Sequence, residues 1–566
     1  MHTQNPNNKS LSQDNENLTN KQQPDDLMDF PKNVKLKYLT FKNWSEEINI
    51  ADVPCCIPDS VEQVLAVVNW AWKQNYKLRA VGQSHNWSPL ILARTIKSAE
   101  NTMLMDLKQN FNQVVIEKSS SFSIVKAQTG ILMEELMTQM EEQGLGFTAT
   151  PAPGVLTLGG VLAIGGHGTA IKALNEKNEP GHTYGSLSNS ILSLSAVVWD
   201  EEKQQYILRK FKRTEAECAP LLTHLGSALI LEVELQAGKN QRLRCESFTD
   251  IMGDELFAFP QNDDQRTIGS FLDKNGRVEV ILFPFNLLFN SWLKVWSLSP
   301  EKPESSVETT SPYNYPFTEI SDENAKYTKN LILKNPLLTP GFCAFQYLTV
   351  GTKIAIWGNG KDIWGWSKNS LLYVKPSTLR VTANGYAVLT RRQDIQRTVN
   401  AFYTQWKSMI EAYSDNWEYP INGPIEIRIT GLDTPSEVMC EGAAVPSLSP
   451  LRPRPDEPEW DVAVWLDVLT LAGTDNSIEF YRELEQWLFK EFNGNYASAR
   501  VEWSKGWAYS ENTGWDDEEV LKKIIPKSFT DGLPDDNNWV SAVTLLNKYD
   551  PHHIFRSPFL DRLLSI

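Results

Sequence analysis

The stretch Lys77-Leu78-Arg79-Ala80-Val81-Gly82-Gln83-Ser84-His85-Asn86-Trp87-Ser88 carries an Arg-x-x-Gly-x-x-His pattern directly after a predicted strand. A second run, Thr157-Leu158-Gly159-Gly160-Val161-Leu162-Ala163-Ile164-Gly165-Gly166-His167-Gly168-Thr169, follows about seventy residues later and predicts an apolar strand leading into a glycine-rich turn. A third turn is Gly181-His182-Thr183-Tyr184-Gly185-Ser186-Leu187-Ser188. Glycine lets main-chain N–H groups approach an anionic ligand closely. The three turns therefore predict a site for a phosphate-bearing ligand.

Length, charge and cysteine content limit the class of protein. The 566 residues suffice for two or three domains with a sizeable core. A net charge of −16 opposes binding to nucleic acid, which needs clustered Lys and Arg. The six cysteines lack metal-ligand spacing, so no metal site is predicted. The chain contains no run of about eighteen apolar residues, so no transmembrane helix is predicted.

The chain divides into segments of different composition. Residues 1–28 are polar, lack an apolar signal-peptide core and predict a disordered tail. A cytoplasmic location is the default expectation, and secretion by another route stays open. Residues 29–238 alternate predicted strands and helices. Residues 239–500 carry many Trp and Phe residues and long apolar strands, which predict a separate substrate-binding cap domain.

Together the glycine turns and His85 resemble the FAD-binding domain of the vanillyl-alcohol-oxidase superfamily. The resemblance implies an α+β fold, in which a two-part FAD-binding domain of the PCMH type carries an α+β cap domain built on an antiparallel sheet. It also implies that residues 501–566 return to the FAD-binding domain. No turn is a Rossmann Gly-x-Gly-x-x-Gly, so a nicotinamide site is not predicted.

The same resemblance implies FAD as the cofactor, attached covalently to His85 through the flavin 8α-methyl group. A tether of this kind fixes the ring and generally raises the flavin potential. The other residues expected to contact FAD are Gly82, Gln83, Ser84, Asn86, Gly159, Gly160, Gly165, Gly166, His167, Gly168, Gly185, Ser186, Ser188 and Ile230.

A candidate catalytic pair lies on the alternating stretch 423–430. Glu426 and Arg428 share one face of the predicted strand, and isoleucines occupy the other. Such a pair is common on half-exposed strands and by itself favours no activity. However, the Glu-x-Arg pattern, together with Glu502-Trp503-Ser504-Lys505, resembles the covalent-flavin class of cholesterol oxidases. Sugar-alcohol and aldonolactone oxidases share the Glu-x-Arg pair but carry His-Trp-Gly-Lys near the C-terminus, where this chain has Glu502 and Lys505.

Two further acids, Glu279 and Asp467, stand among apolar residues. Burial raises the pKa of a carboxyl group toward the range useful for proton transfer. Each acid therefore either lines a catalytic pocket or satisfies a neighbouring Arg or main-chain group.

The resemblance implies oxidation of a 3β-hydroxysterol to the ketone, with O2 reduced to H2O2 and with isomerisation of the Δ5 double bond to Δ4 left open. Glu426, helped by Glu502, would accept the hydroxyl proton, Arg428 would stabilise the developing oxygen charge, and Lys505 would balance negative charge near the flavin. The expected partners are an apolar alcohol and O2, and transient contact with a membrane surface stays open. The alternatives are a sugar-alcohol or aldonolactone oxidase or dehydrogenase of the same fold, and a flavin- or sterol-binding protein without turnover.

Overall fold

The computed structural model describes residues 27–93, 99–118, 122–260, 265–285, 290–317, 322–356, 358 and 360–565. Residues 1–26 of the predicted disordered tail lie outside the described residues. Of the described helices, none is long and apolar enough to cross a membrane.

The N-terminal part contains two sheets. The first is formed by β1 (Lys35–Lys42), β2 (Asn49–Ile57), β3 (Lys77–Ala80) and β4 (Thr102–Met105), in the order β1-β2-β4-β3. Helix α1 (Val61–Lys73) joins β2 to β3, and the Ser60 hydroxyl caps it by accepting from the N–H of Gln63. Because β3 pairs parallel to β4 at the edge of this sheet, the loop after β3 is free to face the rest of the molecule.

The second sheet is antiparallel and follows in sequence. Its strands are β5 (Val114–Glu117), β6 (Ser123–Gln128), β7 (Leu145–Gly146), β8 (Ile191–Asp200), β9 (Gln205–Lys212) and β10 (Leu229–Lys239). Their order is β5-β6-β10-β8-β9, with β7 paired to the end of β10. Helices α2 (Met133–Glu142), α3 (Leu158–Ala163) and α4 (Ala219–Leu222) connect these strands.

The prediction of an apolar strand in the run that begins at Thr157 was wrong, because residues 158–163 form helix α3. Thr157 lies before the helix in an extended conformation, and its hydroxyl accepts from the N–H of Gly160. The apolar side chains Leu158, Val161 and Leu162 are buried on one side of the turn. A six-residue run is too short for periodicity to separate helix from strand, so the cap decided the outcome.

The described strands between residues 242 and 501 form one sheet of nine. They are β11 (Arg242–Phe248), β12 (Arg277–Leu282), β13 (Trp292–Leu298), β14 (Val307–Thr309), β15 (Asp362–Trp366), β16 (Thr382–Thr390), β17 (Ile425–Gly431), β18 (Val462–Thr470) and β19 (Ala497–Val501). The order is β14-β15-β11-β13-β12-β17-β18-β16-β19, antiparallel except for the edge pair β14–β15. This confirms the predicted α+β fold with an antiparallel cap sheet.

In the described part of the chain, seven α-helices accompany the cap sheet, and three more follow it. The first group is α5 (Gly253–Leu256), α6 (Ile268–Asn275), α7 (Asp322–Lys334), α8 (Thr339–Ala355), α9 (Ser367–Leu371), α10 (Ile395–Asp415) and α11 (Ser477–Glu491). The second is α12 (Ile525–Ser528), α13 (Trp539–Tyr549) and α14 (Pro558–Leu563). The last segment contacts the N-terminal part, since the Leu78 N–H donates to the Ile554 carbonyl and the Ser557 hydroxyl to that of Leu90.

Candidate active site

A continuous cavity of about 380 Å³ runs between the N-terminal sheets and the cap sheet. Its volume falls within the roughly 300–1,000 Å³ typical of ligand sites. The loop after β3, the α3 region and the start of β10 form one wall, called here the glycine wall. Strands β12 and β17 and the residues after β19 form the facing wall, called here the charged wall.

The glycine wall presents main-chain donors to the cavity. Within the described residues, none of the main-chain N–H groups of residues 82–86 donates to another protein group. Ser84 has φ +54° and Gly165 has φ +66°, so the chain turns sharply at both loops. Unpaired N–H groups on a concave loop suit the pyrophosphate of a dinucleotide. The wall therefore fits FAD.

Most predicted cofactor residues lie on this wall. Those that line the cavity are Gly82, Gln83, Ser84, His85, Asn86, Gly159, Gly160, Gly165, Gly166, His167, Gly168 and Ile230. The structure does not bring Gly185, Ser186 or Ser188 to the cavity. Instead, the Ser186 N–H and hydroxyl donate to the Asp433 carboxylate at 2.7 and 2.9 Å, and the Ser188 hydroxyl donates to the Leu162 carbonyl at 3.0 Å. These residues brace the glycine wall from behind.

His85 is held between aromatic rings at the cavity surface. Its imidazole stacks on Trp44, with 3.8 Å between ring centroids, and meets the edge of Trp87 at 5.9 Å. Burial lowers the pKa of His85 to about 3, and the charges of Lys505 and Arg380 act in the same direction. The ring is therefore neutral at physiological pH, and a nitrogen lone pair is available.

The charged wall is organised by Arg428 on β17. Its guanidinium donates to Glu279 at 2.7 Å, to Glu426 at 2.6 Å and to Asp467 at 3.1 Å. The sheet register causes this arrangement, because Glu279 on β12 pairs with Arg428 while Asp467 on β18 pairs with Glu426. As predicted, the isoleucines of β17 face the other side, where they are fully buried.

Glu279 is ionised through a buried lysine. Lys294 on β13 forms an ion pair with it, and the Tyr373 hydroxyl donates to it at 2.7 Å. Burial disfavours the charge, but Lys294 and Arg428 together outweigh it and lower the pKa of Glu279 to about 2. The ammonium lies 3.6 Å from the Tyr373 ring centroid and within cation–π distance of four more aromatic rings, those of Trp292, Trp296, Tyr315 and Phe317.

A second buried pair, Asp467 and Glu502, lies at the other end of the charged wall. Asp467 accepts from Lys505 at 3.0 Å, and Glu502 faces the His167 ring at 3.8 Å. Burial raises the pKa of Asp467 to about 8, and the charge of Glu502 adds to this. Burial acts against the charge of Glu502 too, but Lys505 and His167 lower its pKa to about 2. At neutral pH the two carboxyl groups therefore hold one proton between them.

Gly385 on β16 makes room for this acid pair. A Cβ at this position would lie 2.7 Å from Asp467 Oδ1 and 2.8 Å from Glu502 Oε2. Among the described residues, neither oxygen accepts from an N–H or hydroxyl donor. Both oxygens therefore border the space that a Cβ at Gly385 would fill.

The structure brings all six predicted catalytic residues together, and five of them line the cavity. Glu279, Glu426, Arg428, Glu502 and Lys505 reach its surface, whereas Asp467 lies behind it. Sequence reasoning missed Lys294, Tyr373 and Gly385. A signal for Lys294 was present in Trp292-Leu293-Lys294-Val295-Trp296, where alternation places the lysine between two tryptophans on one face of a strand.

Away from the charged groups, the cap part of the cavity is largely apolar. Ile281, Phe283, Trp292, Trp296, Phe317, Val350, Leu371, Val374, Leu379 and Leu469 line it. Such a chamber suits an apolar ligand with one polar end.

Fold and cavity together define a two-domain flavoprotein with an apolar chamber beside the wall that fits FAD. Residues 55–202 match the family described as FAD binding domain, and residues 242–565 match the one described as cholesterol oxidase, substrate-binding. Because the second match covers more than half of the chain, this protein belongs to the cholesterol oxidase substrate-binding family. The predicted family resemblance and the FAD cofactor are thereby confirmed.

Solved structures agree over nearly the whole chain. A solvent-stable cholesterol oxidase is 49% identical, with a TM-score of 0.91, covering 95% of this chain and 99% of that one. A cholesterol oxidase from Brevibacterium sterolicum is 38% identical, with the same TM-score and the same coverage.

Curated relatives match a smaller part of the chain. L-gulonolactone oxidases from Bos taurus and Mus musculus are 27% and 31% identical over 222 and 226 residues. These matches cover 39% of this chain and 45% of each relative, so the chain spans just under half the length of the curated relatives.

Proposed function

We propose that this protein is an FAD-dependent oxidase that converts a 3β-hydroxysterol to the 3-ketosteroid and reduces O2 to H2O2. The observation that carries the proposal is a single cavity, in which a glycine wall for FAD meets an apolar chamber whose polar groups cluster at one end. A sterol has the matching distribution, with one hydroxyl on a rigid apolar body.

In this proposal Glu426 accepts the proton of the sterol hydroxyl. Its carboxylate lines the cavity and is held by Arg428 at 2.6 Å. Arg428 also stabilises the oxygen as charge develops on it, and Lys505 contributes positive charge at the same end of the cavity. FAD, when bound, supplies the acceptor for the hydride from the carbinol carbon.

Glu502 assists at the same end of the cavity, and Asp467 positions it through the shared proton. Because this pair holds one proton and Glu502 lines the cavity, it is also suited to the isomerisation that moves a Δ5 double bond into conjugation with the new ketone. Glu279 is a positioning residue, since its charge fixes the Nε side of Arg428.

We further propose that His85 tethers FAD covalently. A neutral imidazole at the surface of the glycine wall has a nitrogen lone pair with which it would bond the 8α-carbon of FAD. The C–H bond broken at that carbon would release its proton to solvent and its electron pair to the flavin, from which O2 would accept the pair. Trp44 stacked on the ring and Trp87 at its edge limit its rotation.

The second candidate is an aldonolactone or sugar-alcohol oxidase, which the partial match to L-gulonolactone oxidases favours. A polyol needs hydrogen-bonding groups along its whole length, because each buried hydroxyl left unpaired costs binding energy. The apolar chamber supplies few of them, so the sterol is the better fit.

The test is to record the flavin spectrum of the purified protein under anaerobic conditions, before and after adding cholesterol and, separately, L-gulonolactone. Bleaching of the oxidised flavin band by cholesterol alone is the expected result. Bleaching only by the lactone would replace the proposal with the second candidate, and no bleaching by either would contradict both.

A further inference from the structure

A buried glutamate on α11 holds a chain segment close to the acid pair. Glu485 is 2% exposed and is not among the residues that line the cavity. Its Oε1 accepts from the Tyr509 N–H at 2.9 Å, and its Oε2 accepts from the Ala508 N–H and the Tyr386 hydroxyl, both at 2.7 Å. The carboxylate therefore joins α11 both to β16 and to residues 505–509, called here the anchored segment.

The anchored segment has a strained backbone at the point where Glu485 contacts it. Ala508 has φ +52°, a left-handed conformation that is unfavourable for a residue with a Cβ. Such a conformation persists only where the surrounding structure enforces it. Its carbonyl accepts from the N–H groups of Asp516 and Asp517 at 2.8 and 3.0 Å, while its N–H donates to the Glu485 carboxylate. The carboxylate therefore holds one side of the strained residue.

The same helix supports the strand that carries Asp467. Tyr481 lies one helical turn before Glu485, and its hydroxyl donates to the carbonyl of Val468 at 3.0 Å. Its ring also packs against that of Tyr509, with 5.2 Å between the centroids. Residues four apart share one face of a helix. One face of α11 therefore contacts both β18, next to the acid pair, and the anchored segment.

The anchored segment begins with Lys505, whose side chain lines the cavity. The ammonium donates to Asp467 at 3.0 Å and lies 4.4 Å from the ring centroid of Trp87. Its charge also acts on the His85 ring. Lys505 thus stands where the charged wall meets the loop of the glycine wall, and its position depends on the backbone that carries it.

We propose that Glu485 is a positioning residue, which holds the anchored segment and thereby keeps the Lys505 ammonium beside Asp467 and Glu502. Main-chain hydrogen bonds of Gly506 to β16 hold one end of the segment, and Glu485 holds the other. Glutamine cannot take its place, because its amide has one acceptor oxygen and an NH2 group that would face an N–H or hydroxyl donor. This inference rests on the proposed function for the reaction in which it is tested.

The test variant is Glu485→Gln, and the matched control is Glu483→Gln, the same substitution at an exposed position of the same helix. Anaerobic stopped-flow absorbance follows reduction of the flavin by cholesterol at pH 8, because burial raises the pKa of Glu485 to about 7. The limiting rate should fall about tenfold or more, since a displaced charge stabilises the reacting atoms less. The apparent dissociation constant of cholesterol should change less than about twofold, because the apolar chamber is untouched. The control should match the parent in both quantities.

A second background separates positioning from a general loss of packing. In Lys505→Met the ammonium is absent, so adding Glu485→Gln should lower the limiting rate no further. The milder variant Tyr386→Phe removes one donor, and it should show a smaller loss of rate, again only where Lys505 is present. An equal fold-loss with and without Lys505 would overturn the inference. So would an unchanged limiting rate in Glu485→Gln or, if that variant does not fold, in Tyr386→Phe.

The midpoint potential of the bound flavin supplies a measurement that needs no substrate. A nearby ammonium stabilises the negative charge of the reduced flavin, so the potential should fall in Glu485→Gln and in Lys505→Met and stay at the parent value in Glu483→Gln. A parent flavin that neither cholesterol nor L-gulonolactone reduces would remove the proposed function, and the potentials would still test the positioning. Equal potentials in the parent and in Glu485→Gln would overturn the inference.

Discussion

The glycine wall and the charged wall face each other across one cavity but are built on opposite principles. In the glycine wall, residues close in sequence present unpaired main-chain N–H groups, and few charged side chains take part. In the charged wall, Glu279, Arg428 and Asp467 come from three neighbouring strands.

The difference teaches how each wall is stabilised. Main-chain donors cost little to position, because the backbone is fixed by the fold around it. Buried charges must be compensated by partners, since each ion taken out of water loses several kcal/mol of solvation. The charged wall is therefore the part of the site that single substitutions disturb most.

Glu426→Gln should slow the reaction that takes place at the charged wall and leave the glycine wall unchanged. Loss of a general base lowers a rate by about 10²- to 10⁴-fold, so reduction of the flavin by cholesterol should slow by this factor. The measurement is anaerobic stopped-flow absorbance. Glu459→Gln, at an exposed cap residue, is the control and should react at the parent rate. An unchanged rate in Glu426→Gln would remove this residue from the mechanism.

Lys294→Met should break the charge balance itself. The substitution leaves Glu279 buried with only Arg428 as a cationic partner, which should lower the free energy of unfolding by about 3 kcal/mol. Urea denaturation measures the loss. The combination of Lys294→Met with Glu279→Gln should recover most of it, because the uncompensated charge is then absent. A double variant as unstable as the single one would show that packing of the aromatic rings around Lys294 is responsible instead.

His85→Ala tests the glycine wall, because it removes the proposed covalent attachment of FAD and leaves the charged wall unchanged. Covalent FAD stays with the parent polypeptide after denaturation and precipitation, whereas the variant should release all of its flavin. The free energy of unfolding should change less than in Lys294→Met, because no buried charge loses its ion-pair partner. His224→Ala, at another neutral histidine on the cavity, is the control and should keep the tether. Release of flavin from the parent would contradict covalent attachment.

Asp467→Asn should give the smallest effect, one visible in pH dependence. The folded state holds the pair's proton up to about pH 8, whereas unfolded Asp467 loses it near its ordinary pKa of about 3.9. Folded protein thus binds more protons between these values, and the contribution of Asp467 to stability falls as pH rises through the window. The variant lacks this slope, so in urea unfolding the stability of the parent should fall relative to that of Asp467→Asn by about 1 kcal/mol per pH unit. Parallel curves between pH 5 and 7 would contradict the shared proton.

The predictions that succeeded rest on chemistry carried by neighbouring residues. The Arg-x-x-Gly-x-x-His turn placed His85 and Gly82 on the cavity, and simple alternation placed Glu426 and Arg428 on one face of β17. The third glycine turn illustrates the limit of this reasoning. Ser186 has the same local chemistry as Ser84, yet its hydroxyl and N–H both donate to the carboxylate of Asp433, which lies 247 residues later.

The sequence by itself determined the glycine turns and the residue types of the site, because these depend on spacing along the chain, and the family resemblance that they carry implied the α+β class. Only the tertiary structure decided which charges meet. Strand order set Lys294 against Glu279, and the absence of a Cβ at Gly385 let Asp467 approach Glu502. It also set Glu485 against Tyr386 and the anchored segment. Each of these contacts joins residues distant in sequence, and their register depends on the packing of the whole sheet rather than on any local pattern.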